Sequence, residues 1–170
     1  MTVHVGLLRA VNVGGRQLKM DELKRIASEA GLEAPKTFIA SGNLLFRSSK
    51  SEAVVKRQLE SALSEHMAKP VQVMIRTAAE IAECSSRNPF AEAPGNRVVA
   101  IFFDDRPPAE AIASATNVAN ERLAQVGREI YVHYPDGQGR SKLKLGAKVV
   151  GTARNMNTVA KLAELAREMS

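Results

Sequence analysis

The spacing of apolar and polar positions near the N-terminus predicts a β-strand followed by an amphipathic helix. Apolar side chains alternate with polar ones over residues 2–9 and then become continuous, which is typical of a strand buried on at least one face. Apolar positions next recur at helical spacing over residues 20–30. Gly31 follows directly, and glycine is common just after helix C-termini because it accepts a left-handed backbone. We therefore expect the first helix to end there.

The next segment predicts a β-hairpin, a second helix and a fourth strand. Short β-type runs at residues 37–40 and 44–47 are separated by a Ser-Gly-Asn sequence that tolerates the positive φ of tight turns. The helix begins at Ser51 and is terminated by Pro70. Residues 71–76 then form the fourth strand.

The predicted order β-α-β-β-α-β over residues 2–76 matches a split βαβ, ferredoxin-like pattern. In that topology the third strand lies antiparallel between the first two, which run parallel to each other. The loop after the first strand and the turn after the second must then lie at the same end of the sheet. We therefore expect residues 12–15 to approach residues 41–43.

The second half partly repeats this arrangement. Thr77 and Glu80 have the spacing of a capping box, which predicts a short helix to about residue 85. Asn, Pro and Gly at residues 87–96 are typical of a linker. The remaining predicted elements are strands at 97–103, 122–126 and 129–134 and helical segments at 108–115, 141–148 and 158–169.

The sequence thus predicts an α+β protein with two units. Residues 1–86 form a ferredoxin-like βαββαβ unit, residues 87–96 a linker, and residues 97–170 a second, partly similar α+β unit with C-terminal helices.

The charge distribution favours an anionic partner. The net charge is +6, and residues 137–161 carry several Lys and Arg side chains but no acidic residue. Clustered cations attract phosphates over long distances, although such a run also serves solubility. Nucleotide or nucleic acid is therefore the partner class that the basic surface favours.

Other features exclude several classes of protein. Cys84 is the single cysteine, so no internal disulfide forms. The chain shows no signal peptide and no apolar run near 20 residues, from which we expect a cytoplasmic protein without a membrane partner. The three histidines are scattered without metal-ligand spacing, which predicts no metal and no cofactor. No nucleophile elbow and no RNA-recognition consensus is present.

Three loops are candidates for chemistry, each with a structural alternative. Residues 9–16 lead from a strand toward a helix and contain two glycines, which suits phosphate binding but also a plain turn. In residues 151–158, Arg154 suits phosphate or an internal salt bridge, and either Asn157 or Thr158 suits a helix N-cap. Residues 134–141 favour turn formation.

These loops carry a resemblance to the domain-of-unknown-function-1697 family. The matching stretches are residues 8–15 (LRAVNVGG), 41–43 (SGN), 134–141 (YPDGQGRS) and 151–158 (GTARNMNT). Ala10 stands where the family commonly has Gly, and Met156 where it commonly has Trp. The resemblance implies an α+β protein with ferredoxin-like units. It implies no established activity, so no catalytic residue is carried over.

The leading interpretation is a binding protein for an anionic ligand, a nucleotide or nucleic-acid phosphate. A small metal-independent enzyme acting on a phosphorylated or carboxylated metabolite and a structural or protein-interaction module are the alternatives. Whether the chain is an enzyme, its oligomeric state, and whether residues 151–158 join the N-terminal loops stay open. The candidate ligand-binding residues are Arg9, Asn12, Gly14, Gly15, Ser41, Gly42, Asn43, Arg154, Asn155 and Asn157.

Overall fold

The chain divides into two compact units in a computed structural model that describes residues 1–9, 17–39 and 42–170. The first unit comprises Met1–Ile81 and Leu162–Ser170, and the second comprises Ala82–Lys161. The predicted linker at residues 87–96 lies inside the second unit.

The first unit contains a four-stranded antiparallel sheet. Its strands are β1 (Thr2–Leu8), β2 (Glu33–Phe38), β3 (Asn43–Ser48) and β4 (Val73–Thr77). Its helices are α1 (Met20–Glu29) and α2 (Glu52–Met67), and α3 (Ala78–Ser86) begins in this unit. The strand order is β2-β3-β1-β4, with β3 antiparallel to both β1 and β2, as the predicted pattern requires. The α+β class is confirmed, whereas the ferredoxin-like arrangement in its details stays a prediction.

Local signals in the sequence explain where these helices begin. The Ser51 hydroxyl accepts a hydrogen bond from the Val54 amide at 3.3 Å and caps α2. At α3 the predicted capping box is confirmed: the Thr77 amide donates to Glu80 Oε1 at 2.9 Å, and the Glu80 amide donates to Thr77 Oγ1 at 3.2 Å.

The core of the first unit lies between one face of its sheet and the helices α1 and α2. Phe46 and Ile75 from the sheet are buried in one cluster with Leu23 of α1 and Leu59 of α2. Strand β2 begins four residues earlier than the sequence predicts. Its register shifts between Glu33 and Lys36, and a proline in this irregular stretch is tolerated because β2 lies at the edge of the sheet.

The outer edge of β4 is hydrogen-bonded by side chains of α2. Glu60 Oε2 accepts from the Val73 amide at 2.8 Å, and Lys56 Nζ donates to the Val73 carbonyl at 2.7 Å. Lys56 and Glu60 also form an ion pair at 2.7 Å. The amide and the carbonyl of Val73 are therefore both hydrogen-bonded at this edge.

The second unit contains a similar sheet. Its strands are β5 (Val98–Phe103), β6 (Arg122–Val126), β7 (Glu129–His133) and β8 (Gly151–Asn155). Its short helix is α4 (Glu110–Ala113), and α5 (Met156–Met169) begins here and ends in the first unit. The strand order β6-β7-β5-β8 repeats that of the first unit, so the second unit echoes the first in topology.

Two predictions for the second unit were wrong. Residues 141–148 are not helical, and the supposed loop 151–158 contains β8 and the start of α5. Thr116 and Lys144 exchange backbone hydrogen bonds of 2.9 and 3.1 Å, and the Gly146 amide donates to the Ala111 carbonyl at 2.8 Å. These tertiary contacts hold the segment in an extended form.

A buried histidine makes the stability of the first unit depend on pH. His4 in β1 is 3% exposed and stacks on Phe46 with ring centroids 5.4 Å apart. Neither ring nitrogen has a hydrogen-bond partner among the described residues. Burial lowers the pKa of His4, and the Glu52 and Glu80 carboxylates oppose this shift only in part. The folded state therefore favours neutral His4.

We predict that acidification below the ordinary histidine pKa destabilises the protein through His4. The unfolded chain takes up a proton there that the folded chain resists, so the free energy of unfolding falls as pH falls. His4→Phe should reduce this dependence, measured by urea denaturation at pH 7.5 and 5.5. Phe46→Leu is the control, because it weakens the core but keeps the titrating group. An unchanged pH dependence in His4→Phe would contradict the prediction.

Candidate functional site

The end of β1 is hydrogen-bonded to Gly42 and Gln72 in the first unit. The Leu8 amide donates to the Gly42 carbonyl at 2.9 Å, and the Arg9 amide donates to the Gln72 carbonyl at 2.9 Å. Arg9 is exposed at this end of the sheet. The other candidates in these loops lie outside the described residues, and they are Asn12, Gly14, Gly15 and Ser41.

Asn43 closes the hairpin from inside the protein. It is fully buried opposite Leu7, and its Nδ2 donates to the Phe38 carbonyl at 2.9 Å. Gly42 has φ +92°, a backbone conformation that favours glycine. These contacts give Asn43 and Gly42 a structural task in the turn.

Arg154 lies within β8, paired with Ala100 of β5 in the sheet of the second unit. Its side chain is buried, and Nη1 donates to Thr152 Oγ1 at 2.7 Å and to the Ala153 carbonyl at 2.9 Å. Burial lowers the pKa of Arg154 to about 10, so the guanidinium stays protonated at neutral pH. These hydrogen bonds fix the side chain along its own strand.

The two asparagines after Arg154 have different contacts. Asn155 Oδ1 accepts from the Thr158 amide at 2.9 Å, which makes Asn155 the N-cap of α5. The predicted cap at Asn157 or Thr158 was therefore wrong. Asn157 instead packs against Gly95, where an added Cβ would lie 2.9 Å from Asn157 Cγ.

A cavity of about 450 Å³ lies in the second unit between two loops, residues 117–121 and 134–142. Arg122 at the start of β6 pairs with His133 at the end of β7. The loop before β6 and the loop after β7 therefore leave the sheet at the same end. The register of this strand pair therefore sets the positions of the two loops, which form the two walls of the cavity.

Gly137 shapes the second wall. Its φ is +89°, and an added Cβ would lie 2.6 Å from Arg97 Nη1. The Tyr134 amide donates to the Arg97 carbonyl at 2.7 Å, and the Gly137 amide donates to the Tyr134 carbonyl at 3.0 Å. The positive φ of the turn therefore favours glycine at this position, whereas the flexible Arg97 side chain could shift to admit a Cβ.

Two carboxylates that line the cavity are held by neutral donors. Glu121 accepts from the Ala119 amide at 2.7 Å and from the Ser141 hydroxyl. The Ser141 hydrogen bond, followed by the Ala119 amide, lowers the pKa of Glu121, so it is ionised at neutral pH. Asp136 Oδ2 accepts from Asn120 Nδ2 at 2.8 Å.

Two exposed cations, Arg140 and Lys142, line the same cavity. Val118, which is 45% exposed, and the buried Tyr134 add apolar surface. The arrangement can bind a phosphate through the cations and hydroxyl donors through the carboxylates.

Sequence reasoning had interpreted residues 134–141 as a turn and had named no site residue there. The acid-free stretch that begins at Gly137 was a signal for these cations. Residues 117–121 carried no comparable signal in the sequence, because only the β6–β7 register brings them opposite residues 134–142.

Two other kinds of site are absent from the described residues. Within residues 1–9, 17–39 and 42–170, no three His, Cys, Asp or Glu side chains are grouped to hold a metal ion. No helix in the same ranges has the length and apolar character that a membrane crossing needs.

We predict that Asn155→Ala lowers the free energy of unfolding by about 1 kcal/mol, because an α5 amide loses its N-cap acceptor. Urea denaturation measures the change. Asn155→Ser is the matched control, since serine is also a good N-cap and should retain most of the stability. Equal loss in both variants would contradict a capping role.

The chain is similar to known proteins in family and in fold. The model of a family described as protein of unknown function (DUF1697) matches residues 1–131. A solved structure of a conserved bacterial protein from Streptococcus pneumoniae has a TM-score of 0.76 and 19% sequence identity, covering 98% of this chain and 99% of that one. No curated protein matches the chain. Because the family model covers most of its length, the chain belongs to the DUF1697 family.

Proposed function

We propose that this protein binds a small anionic ligand of the nucleotide class in the cavity of the second unit. The observation that carries the proposal is the presence of Arg140 and Lys142 in one cavity of about 450 Å³. Cavities of roughly 300–1,000 Å³ are typical of small-molecule sites.

The two cations suit complementary parts of a phosphate. The planar guanidinium of Arg140 offers paired donors, and the ammonium of Lys142 offers a compact point charge. Both belong to the acid-free stretch at residues 137–161, while Asp136 directly before it and Glu121 line the same cavity. Charge-assisted hydrogen bonds of this kind are roughly twice as strong as neutral ones.

The exposed Arg9 side chain favours a separate phosphate contact in the first unit. Arg9 is exposed where β1 ends, and the Gly42 carbonyl accepts a hydrogen bond from the amide of Leu8, the residue before Arg9. Arg9, Gly42 and the four candidates outside the described residues therefore stay in the proposal. Asn43, Arg154, Asn155 and Asn157 are better explained by the structural contacts described above.

Ligand binding is favoured over a catalytic reaction in which Ser141 would be the nucleophile. The Ser141 hydroxyl donates to Glu121, as a nucleophile would donate to its general base. However, the pKa of Glu121 is lowered by that hydrogen bond and by the Ala119 amide. A carboxylate with a lowered pKa is a weak base at neutral pH.

A cytoplasmic setting is also part of the proposal. Cys84 is a buried thiol, and it is the single cysteine of the sequence. A protein that uses no disulfide suits a reducing compartment, where nucleotides are available as ligands.

We predict that Arg140→Ala and Lys142→Ala each weaken binding of ribonucleoside 5′-monophosphates by about 10-fold, because each removes a charge-assisted contact. Isothermal titration calorimetry with the four monophosphates measures the affinity, and raised salt should lower it.

Matched controls are Arg106→Ala and Lys148→Ala, which remove the same charges from exposed positions outside the cavity. These control variants should bind the nucleotides with the same affinity as the wild-type protein. Arg9→Ala tests the second contact at the end of the first sheet separately. Absence of binding by all four nucleotides at millimolar concentration would overturn the proposal, as would equal losses in the controls.

A further inference from the structure

The cavity in the second unit has a mixed charge that restricts its ligand. Arg140 and Lys142 line it together with the carboxylates of Glu121 and Asp136. A bare phosphate, or a run of phosphates along a nucleic-acid strand, would bring negative charge against both carboxylates. A ligand with hydroxyl donors beside a single phosphate satisfies both kinds of side chain.

The two carboxylates differ in what they already bind. Glu121 uses Oε1 for the Ala119 amide and Oε2 for the Ser141 hydroxyl, so it fastens one wall of the cavity to the other. The Ser141 oxygen also accepts the Leu143 amide at 3.2 Å. Glu121 is therefore committed to holding the loops together.

Asp136 is positioned to meet a ligand. Its carboxylate is exposed and lines the cavity, and Oδ2 accepts one hydrogen bond from Asn120 Nδ2 at 2.8 Å. An ionised carboxylate has about four acceptor sites, of which this bond uses one. The Asn120 contact orients the group without neutralising its charge.

Asp136 and the cations lie on opposite sides of one short turn. Gly137, with its positive φ, follows Asp136 directly, and the 3-10 turn Gln138–Arg140 ends at the first cation. The same loop therefore offers an acceptor for hydroxyls at one end and donors for phosphate at the other. The exposed Val118 side chain on the facing loop offers an apolar surface for a base.

We infer that Asp136 binds the ribose hydroxyls of a ribonucleotide whose phosphate contacts Arg140 and Lys142. This inference rests on the proposed function and adds selectivity for ribose over deoxyribose. Free sugar phosphates share the phosphate and hydroxyl chemistry but lack the base that would cover Val118.

The test is a calorimetric comparison of four probes: AMP, 2′-deoxy-AMP, ribose 5-phosphate and inorganic phosphate. For the original protein we expect AMP to bind about 10-fold more tightly than 2′-deoxy-AMP, because the deoxy compound leaves a carboxylate hydrogen bond unmade. AMP should also bind more tightly than ribose 5-phosphate, which lacks a base. Inorganic phosphate should bind most weakly.

Asp136→Ala should reduce the ratio of the affinity for AMP to the affinity for 2′-deoxy-AMP to about 1. Asp136→Asn should give an intermediate ratio because asparagine keeps an acceptor oxygen. Asp105→Ala removes the same charge from an exposed position outside the cavity and should leave the ratio unchanged. Thermal melts establish that the variants are folded.

The outcomes separate the two ideas. If none of the four probes binds and the other three ribonucleoside monophosphates do not bind either, the proposed function fails. If AMP and 2′-deoxy-AMP bind equally to the original protein, the ribose inference is overturned while the proposed function stands. The inference is likewise overturned if Asp136→Ala weakens both nucleotides to the same degree. Tighter binding of ribose 5-phosphate than of AMP would overturn the assignment to a nucleotide.

Discussion

Each unit depends on a central strand that is hydrogen-bonded on both sides. In the first unit β1 pairs with β3 and β4, and in the second unit β5 pairs with β7 and β8. A strand in this position has no free edge, so its backbone polar groups are satisfied while both of its faces are available for burial. The burial of β1 from Val3 to Leu8 and the continuous apolar sequence of β5 follow from that position. The ends of these strands then decide where the loops begin.

The proposed site is a direct result of such strand pairing. The pair Arg122 and His133 is the last register position between β6 and β7, and the chain enters the cavity walls immediately on either side of it. Hydrogen bonds from Ala119, Asn120 and Ser141 use neutral donors to hold the two carboxylates of the walls. These hydrogen bonds hold the loops without using the side chains of Arg140 or Lys142.

Much of the fold could be predicted because its signals are local. Ser51 and the pair Thr77 and Glu80 mark helix starts by side-chain chemistry alone, and alternating apolar positions mark the strands. The segment at residues 141–148 was predicted wrongly because contacts with Thr116 and with α4 hold it extended. Arg154 looked like a ligand residue because burial within β8 cannot be read from a polar sequence.

The candidate site shows the same limit. Basic side chains near Gly137 were visible in the sequence, but their partners at residues 117–121 are brought opposite by the β6–β7 register. Asn155 was assigned to a ligand, although its amide oxygen caps α5. The predicted approach of the two N-terminal loops concerns residues largely outside the described ranges and stays a prediction.

The hydrogen bonds that Lys56 and Glu60 make to Val73 have a consequence for association between chains. An unpaired strand edge is a template on which another extended chain can add. Here the Lys56 ammonium and the Glu60 carboxylate make the two hydrogen bonds that the backbone N–H and C=O of a residue in a fifth strand would make to Val73. At this residue the helix therefore takes the place of a neighbouring strand, and another extended chain would have to displace both side chains to add to β4 here.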